Sequence, residues 1–346
     1  MTAASTGTAT AKKLTRKDFM SDQEVRWCPG CGDYAILATV QRAFPDLGVA
    51  RENTVFVSGI GCAARFPYYM NTYGVHAIHG RAPALATGIK LVNPELSVWV
   101  ASGDGDALSI GGNHLIHMLR RNPDIKVLLF NNRIYGLTKG QFSPTSEVGK
   151  TTKSSPWGNI DGPLSPLSVA LGANATFVAR TVDRDPKHMI EVIQAANEHK
   201  GTAFIEVLQN CNIFNDGAFE DVTDRKVKDD NQIRLVAGEP LIFGKESDKG
   251  IRVDKDGNPE VVKVGEGGVD PSELVVHDPT RPQPSYAFML AQLDLPSFPV
   301  PMGILRSVDQ PVYEESMVSQ IEAAKAKSGL GDLQKLIRGG DVWEVK

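Results

Sequence analysis

The chain has 346 residues, a formal net charge of −4 at pH 7 and 41% hydrophobic residues. Its acidic balance gives no basic footprint for nucleic acid, no apolar run approaches the ~20 residues that span a bilayer, and no apolar signal-peptide core occurs near the start. These features predict a cytoplasmic protein of roughly two domains, at ~100–200 residues each, that binds neither nucleic acid nor membrane.

The predicted elements alternate between helices and buried strands. Residues 1–20 are small, polar and without period, which predicts a disordered segment, and one domain is predicted over 21–215. Continuous apolar strands between helices are typical of an α/β fold with a parallel sheet that helices cover on both faces. The predicted helices span 33–44 (with Asp33 as an acidic N-cap), 82–92, 107–121, 166–173 and 186–199, and the predicted strands span 53–62, 96–107, 125–136, 175–181 and 202–211.

The last part of the chain, 216–346, has a different pattern. It predicts an irregular C-terminal extension with a hairpin that turns at 256–258 and a short helix over 314–327. Between them, residues 281–303 are proline-rich and apolar, which suits an arm that makes subunit contacts.

The four cysteines raise the question of what they bind. Cys28 and Cys31 have the spacing of a zinc knuckle, but the chain has no second C-x-x-C, and Cys62 and Cys211 stand alone. An iron–sulfur cluster also takes four thiolates and tolerates distant ligands. Zinc and unrelated structural thiols remain open, since a buried apolar thiol would by itself explain Cys62.

Two polar clusters follow neighbouring predicted strands. Gly103, Asp104 and Gly105 end one strand, and Asn131 and Asn132 end the next. A glycine lets the backbone approach a diphosphate, the N-terminus of a helix favours anions, and carboxylate and amide oxygens suit Mg²⁺. The alternative is a tight turn and a helix cap. Both clusters together favour the diphosphate and magnesium site.

This stretch resembles the GDG…NN motif of thiamine diphosphate enzymes. With the cysteines, the chain is similar to the β subunit of 2-oxoacid:ferredoxin oxidoreductases, in which W-C-P-G-C-G, I-G-C, H-G-R-A, GDG…NN and G-L-T-x-G-Q-x-S-P-T occur in this order. Here they stand at 27–32, 60–62, 79–82, 103–132 and 136–145. The resemblance covers about 20–215, and the C-terminal third is similar to the 2-oxoglutarate branch.

The resemblance implies a role for each matching residue. His79 and Lys139 would be catalytic, Lys139 through the phosphates of coenzyme A, although His79 could instead cap the next helix and Lys139 could be solvated. A [4Fe–4S] cluster would be held by Cys28, Cys31, Cys62 and Cys211. Mg²⁺ would be held by Asp104, Asn132 and the Ile134 carbonyl. Thiamine diphosphate would be contacted by Ile60, Gly61, Cys62, Ala63, His79, Gly103, Gly105, Asp106, Asn131, Gly136 and Leu137.

The activity implied is oxidative decarboxylation of 2-oxoglutarate with coenzyme A to succinyl-CoA and CO₂. Electrons would pass one at a time through the cluster to ferredoxin. Only one thiamine-binding domain is apparent, so an α subunit would complete the site, in an α₂β₂ assembly. Pyruvate or a broad range of 2-oxoacids remains open as the substrate. A non-redox thiamine enzyme and a zinc-stapled interaction protein are the competing interpretations.

Overall fold

In the part of the chain that the structure describes, eight strands form one sheet and three more form a small second sheet. The structure, a computed structural model, describes residues 13–340, 343 and 345. The strands are β1 (Thr54–Ser58), β2 (Tyr73–His76), β3 (Ser97–Gly103), β4 (Ile125–Asn131), β5 (Phe177–Val182), β6 (Ala203–Leu208), β7 (Gln232–Arg234), β8 (Ile242–Phe243), β9 (Lys249–Val253), β10 (Pro259–Lys263) and β11 (Val300–Ser307).

The large sheet has the order β2-β1-β3-β4-β6-β5-β11-β7. The first six strands are parallel, while β11 pairs antiparallel with β5 and parallel with β7. The carboxyl ends of β1, β3 and β4 therefore meet at one edge. Parallel α/β sheets bind their ligands at this edge.

Helices cover both faces of the sheet, as predicted. Val98 and Val100 of β3 belong to one core cluster, and Trp99 of the same strand belongs to the other, so successive side chains enter opposite layers. The helices are α1 (Asp33–Ala43), α2 (Phe66–Tyr69), α3 (Ala82–Val92), α4 (Asp104–Leu108), α5 (Gly112–Arg121), α6 (Pro166–Gly172), α7 (Pro186–Glu198), α8 (Glu220–Thr223), α9 (Lys228–Asn231), α10 (Ser285–Gln292), α11 (Tyr313–Ser328) and α12 (Leu333–Ile337).

The predicted helix over 107–121 is wrong in one respect, because two helices stand there. Between α4 and α5 the chain turns, and Gly111 lies so close to the preceding turn that a Cβ atom on it would be 2.3 Å from the Asp106 carbonyl oxygen. Gly80 approaches the same turn, and its Cβ would be 2.5 Å from the Gly111 nitrogen. The break thus lets the loop that carries His79 contact the segment after α4.

The predicted disorder does not hold for residues 16–20. Arg16–Phe19 forms a 3₁₀ helix, Phe19 is fully buried, and its ring lies edge-on to Phe44 with centroids 5.6 Å apart. The Asn71 amide donates to the Phe19 carbonyl at 2.9 Å. Residues 1–12, on which the rest of that prediction falls, lie outside the described residues.

The C-terminal extension is only partly as predicted. Strands β9 and β10 form the expected antiparallel hairpin, with Asp254 accepting from the amides of Asp256 and Asn258 in its turn. The residues that were predicted to form a proline-rich arm instead form α10 and the beginning of β11, and β11 lies within the large sheet. The extension is therefore continuous with the first domain. None of the described helices is both long and apolar enough to cross a membrane.

Candidate functional site

A pocket lies where β1, β3 and β4 end. The turn after β1, the start of α4 after β3, and the loop after β4 form its walls. Thirteen of the predicted site residues line it: Ile60, Gly61, Cys62, Ala63, His79, Gly103, Asp104, Gly105, Asp106, Asn132, Ile134, Gly136 and Leu137. The structure thus brings together residues that are up to 77 positions apart in the chain.

Asp104 is the buried carboxylate of this pocket. Its Oδ2 accepts hydrogen bonds from the hydroxyls of Ser143 at 2.5 Å and Thr145 at 2.6 Å. Burial raises the pKa of Asp104 above its usual range, and these two hydrogen bonds oppose the rise. A buried carboxylate with few compensating charges favours a bound cation.

Asn131, also predicted to contact the cofactor, is not among the residues that line this pocket. Its Nδ2 donates to Oε1 of Glu206 at 2.7 Å, and its Oδ1 accepts from the amide of Arg133 at 3.2 Å. The neighbouring Asn132 does line the pocket, and its Oδ1 accepts from the Ile134 amide at 3.2 Å. Asn131 therefore shapes the turn after β4, while Asn132 remains available to a ligand through the second lone pair of its Oδ1.

The packing of Gly105 gives a further structural reason for a glycine at this position. A Cβ atom on it would lie 2.2 Å from Cε1 of the Tyr135 ring, and the Tyr135 hydroxyl donates to the Gly105 carbonyl at 3.0 Å. By contrast, a Cβ on Gly103 would meet only the Phe130 carbonyl oxygen, at 4.0 Å. Gly103 thus borders open space at the pocket, and Gly105 makes room for an aromatic ring.

Asp106 links three turns beneath the pocket. It accepts from the amides of Ile60 at 3.0 Å and Gly80 at 2.8 Å, and from the Ser102 hydroxyl at 2.8 Å. Nδ1 of His79 also lies 2.8 Å from Oδ1 of Asp106, but the approach is too far out of line for a hydrogen bond, so this buried nitrogen has no directed partner among the described residues. The helix after it begins with Arg81 at the N-cap and no side-chain cap, so His79 does not cap it.

All four cysteines line a second cavity beside the pocket. Cys28 is exposed, Cys211 is buried, and the other two are half-buried. A Cβ on Gly136 would lie 3.6 Å from the sulfur atoms of both Cys62 and Cys211, in ordinary van der Waals contact, so Gly136 borders both thiols.

Two of the thiols, those of Cys31 and Cys62, are in an environment that raises their pKa. Burial raises the pKa of Cys62 to about 12 and also raises that of Cys31, with the neighbouring Asp33 adding to both. Gln209 donates to the Cys31 sulfur at 3.4 Å. Thiolates here need a compensating positive charge, such as a metal centre supplies. Among the described residues, no three His, Cys, Asp or Glu side chains lie close enough together to hold a single metal ion. A lone zinc ion would need all its sulfur ligands at about 2.3 Å.

Asp33 was predicted as an acidic N-cap, and the structure corrects this. Gly32 occupies the N-cap position, and Asp33 turns inward, where it is buried and lines both cavities. Burial raises the pKa of Asp33 to about 7, and the Asp183 carboxylate adds to the rise. Neither of its oxygens has a hydrogen-bond partner among the residues described. The sequence signal for it was its place directly after W-C-P-G-C-G.

Lys139, predicted as catalytic, lies at the cysteine cavity and not at the pocket. It is exposed, has a positive φ of 82°, and shares the wall of this cavity with Arg26 and Arg65. The structure therefore separates the two residues that were predicted to be catalytic, since His79 belongs to the pocket alone.

Known proteins resemble this chain, one of them over nearly all of its length. The thiamine pyrophosphate enzyme C-terminal TPP-binding domain matches residues 59–207. The 2-oxoglutarate oxidoreductase subunit KorB of Mycobacterium tuberculosis is 53% identical over 332 residues, which cover 95% of this chain and 88% of that protein. The 2-oxoacid:ferredoxin oxidoreductase subunit beta of a Sulfolobus species is 48% identical over 58% of this chain and 67% of its own length. The chain belongs to the family of 2-oxoacid:ferredoxin oxidoreductase β subunits.

A solved structure agrees with this membership. The 2-oxoglutarate:ferredoxin oxidoreductase from Magnetococcus marinus, with 2-oxoglutarate, coenzyme A and succinyl-CoA bound, is similar with a TM-score of 0.75 and 31% identity, over 95% of this chain and 97% of that one. The predicted family and the predicted α/β fold are thus confirmed for this β subunit. The roles given to single residues stay predictions.

Proposed function

We propose that this β subunit belongs to an enzyme that converts 2-oxoglutarate and coenzyme A to succinyl-CoA and CO₂. The reaction releases two electrons and a proton, and the electrons leave one at a time through a [4Fe–4S] cluster to ferredoxin. The names of the M. tuberculosis relative and of the M. marinus enzyme support 2-oxoglutarate as the substrate. The Sulfolobus relative, named for 2-oxoacids in general, supports a broader range as the second candidate.

The observation that carries this proposal is the wall shared by the pocket and the cysteine cavity. Five residues line both: Asp33, Cys62, Asn132, Gly136 and Leu137. Electrons released in the pocket would therefore reach the cysteines across one layer of residues. A non-redox thiamine enzyme would not require the cysteine cavity, and a zinc-stapled interaction protein would not require the pocket.

The pocket fits thiamine diphosphate with Mg²⁺. Asp104 and Asn132 offer oxygens for the metal, the Ile134 carbonyl would be a third, and Gly103 leaves room for a diphosphate to approach the backbone. Bound there, thiamine would supply the electron sink for decarboxylation. The side chains of this chain would shape the site for the cofactor: Leu137 presents an apolar surface, and the His79 ring lines the pocket with its Nδ1 next to Asp106.

The second cavity fits an iron–sulfur cluster. Four cysteines line it, and the burial that raises the thiol pKa values is offset by the charge of an iron centre. The side chain of Gln209 donates a hydrogen bond to the Cys31 sulfur. Hydrogen bonds of this kind adjust a cluster's reduction potential. Lys139 at the rim has the charge to bind the phosphates of coenzyme A.

The membership also implies a partner. We expect an α subunit to supply the missing pyrimidine-binding domain, in an α₂β₂ assembly, and we expect the enzyme to work in the cytoplasm. The test is coenzyme-A-dependent reduction of ferredoxin or a viologen by the co-expressed pair, with 2-oxoglutarate and pyruvate offered separately.

We expect turnover with 2-oxoglutarate by the pair and none by this chain alone. Preference for pyruvate would replace the substrate but keep the reaction class. Full activity of the chain without a partner would contradict the proposed assembly.

A further inference from the structure

Two hydroxyls hold the carboxylate that faces the pocket. Ser143 and Thr145 lie on the loop between Leu137 and Ser165, 39 and 41 residues after Asp104, and both are buried. Their oxygens are 2.5 and 2.6 Å from the same atom, Oδ2 of Asp104. Distances this short are typical of a hydroxyl that donates to an ionised carboxylate.

Hydrogen bonds hold this loop in place next to Ser143 and Thr145. The Ser143 amide donates to the Ser146 hydroxyl at 2.8 Å, and the Ser146 hydroxyl in turn donates to the Arg133 carbonyl at 2.6 Å. Ser146 therefore joins the loop to the turn after β4, which also carries Asn132. The two hydroxyls are thus held in a defined place relative to both candidate metal ligands.

The Thr145 hydroxyl lies close to two acceptors, one on Asp104 and one on Asn131, and can donate its proton to only one of them. Its oxygen is 3.0 Å from Oδ1 of Asn131 and 2.6 Å from Oδ2 of Asp104, and a hydroxyl has only one proton to donate. Asn131 cannot turn its amide around, because Nδ2 donates to Glu206 and Oδ1 accepts from the Arg133 amide. The shorter distance and the negative charge favour donation to Asp104.

We propose that Ser143 and Thr145 are positioning residues that orient Asp104 for its metal ion, an inference that rests on the proposed function. With Oδ2 held by both hydroxyls, Oδ1 is the oxygen that remains for the cation. Both hydroxyls would act through Asp104, to which they donate. Partners of metal ligands commonly contribute about 10–100-fold to metal affinity, because they fix the ligand's orientation.

The variants that test this change the hydroxyl and little else. Thr145→Val removes the hydroxyl and keeps the branched shape, while Thr145→Ser keeps the hydroxyl and removes the methyl group. The double variant Ser143→Ala/Thr145→Val removes both donors. A matched control is Thr181→Val, because Thr181 is equally buried but its hydroxyl lies 2.9 Å from Nδ1 of His188, away from the pocket.

The co-purified complex is titrated with Mg²⁺ at a fixed thiamine diphosphate concentration, and binding is measured by calorimetry. A second titration uses Mn²⁺, whose binding is measured from its electron paramagnetic resonance signal. We expect Thr145→Val to bind both ions about 10–100-fold more weakly, with a larger loss in the double variant. Thr145→Ser should stay within a few-fold of wild type. Thr181→Val should lower the melting temperature without changing the metal affinity, and the cluster spectrum should be the same in all variants.

Two outcomes would overturn the positioning role. Wild-type metal affinity in Thr145→Val and in the double variant would show that the hydroxyls do not orient Asp104. Equal loss in Thr145→Ser and Thr145→Val would show that packing of the methyl group matters, and not the hydrogen bond. If the wild-type complex itself binds neither metal nor thiamine diphosphate, the proposed function fails instead, so the two failures are distinguishable.

Discussion

Replacing Gly105 with alanine should displace the Tyr135 ring. The new Cβ would lie 2.2 Å from Cε1 of the ring, and ordinary contacts begin near 3.4 Å, so the ring must move by about 1 Å or more. The hydrogen bond from the Tyr135 hydroxyl to the Gly105 carbonyl, now 3.0 Å, would weaken at the same time. Tyr135 lies between Ile134 and Gly136, and both of these line the pocket. The pocket should therefore change shape.

The expected cost follows from these contacts. Overpacking of this kind costs about 1–3 kcal/mol, and loss of one hydrogen bond adds about 0.5–1.5 kcal/mol. The higher helix propensity of alanine returns up to about 1 kcal/mol. A net loss of about 0.5–4.5 kcal/mol in the free energy of unfolding is therefore expected for Gly105→Ala, and thiamine diphosphate should bind more weakly because the wall of the pocket moves.

The assay is the melting temperature of the co-purified complex together with calorimetric titration of thiamine diphosphate. Gly103→Ala is the matched control, because its Cβ would come no closer than 4.0 Å to any other residue. It should weaken cofactor binding but keep the melting temperature.

A double-mutant cycle separates the clash from other effects. On a Tyr135→Ala background, the Gly105→Ala change should cost little, because the ring is gone. An equal cost of Gly105→Ala with and without the ring would refute the reasoning.

Two further predictions concern the cysteines and the pH dependence. Cys62→Ser should lose both iron and sulfide, measured on anaerobically purified complex, and stoichiometric zinc without sulfide in the wild type would contradict the cluster. Burial and the nearby Lys126 lower the pKa of His199 from 6.5 to about 4. Between these values the unfolded chain binds a proton that the folded chain does not, so stability should be complete above pH 6.5 and fall as the pH drops toward 4. His199→Gln should show a shallower fall in melting temperature over that range, and an unchanged slope would contradict this assignment.

The local pattern predicted the first domain well because its strands and helices are continuous and strongly apolar. The helix over 82–92 has the predicted bounds, and Cys62, Cys211 and the two polar clusters come close together because each lies at or just after the end of a strand. The sequence did not predict β11, since its proline-rich beginning resembles a surface arm. Its partner β5 is more than 100 residues earlier, and such a pairing leaves no local signal.

The parts of the site that the sequence did not reveal depend on contacts between distant segments. Asp33 has the pattern of a helix cap, and only the packing of α1 shows that it faces inward. Ser143 and Thr145 stand in a motif whose residues have no periodicity, and their contact with Asp104 exists only after folding. Asn131 and Asn132 are adjacent at a strand end, so their side chains point in opposite directions, and the sequence does not say which of them faces the pocket.

The most direct test of the shared wall is whether substrate in the pocket reduces the cluster. The co-purified complex, anaerobic and without ferredoxin or viologen, is mixed with 2-oxoglutarate and coenzyme A, and the brown absorbance of the cluster is followed. The proposal predicts that wild type bleaches, whereas Asp104→Ala keeps the full oxidised spectrum because its pocket no longer holds the metal. An unbleached cluster in a wild-type complex that still releases CO₂ would contradict electron transfer from the pocket to the cysteines.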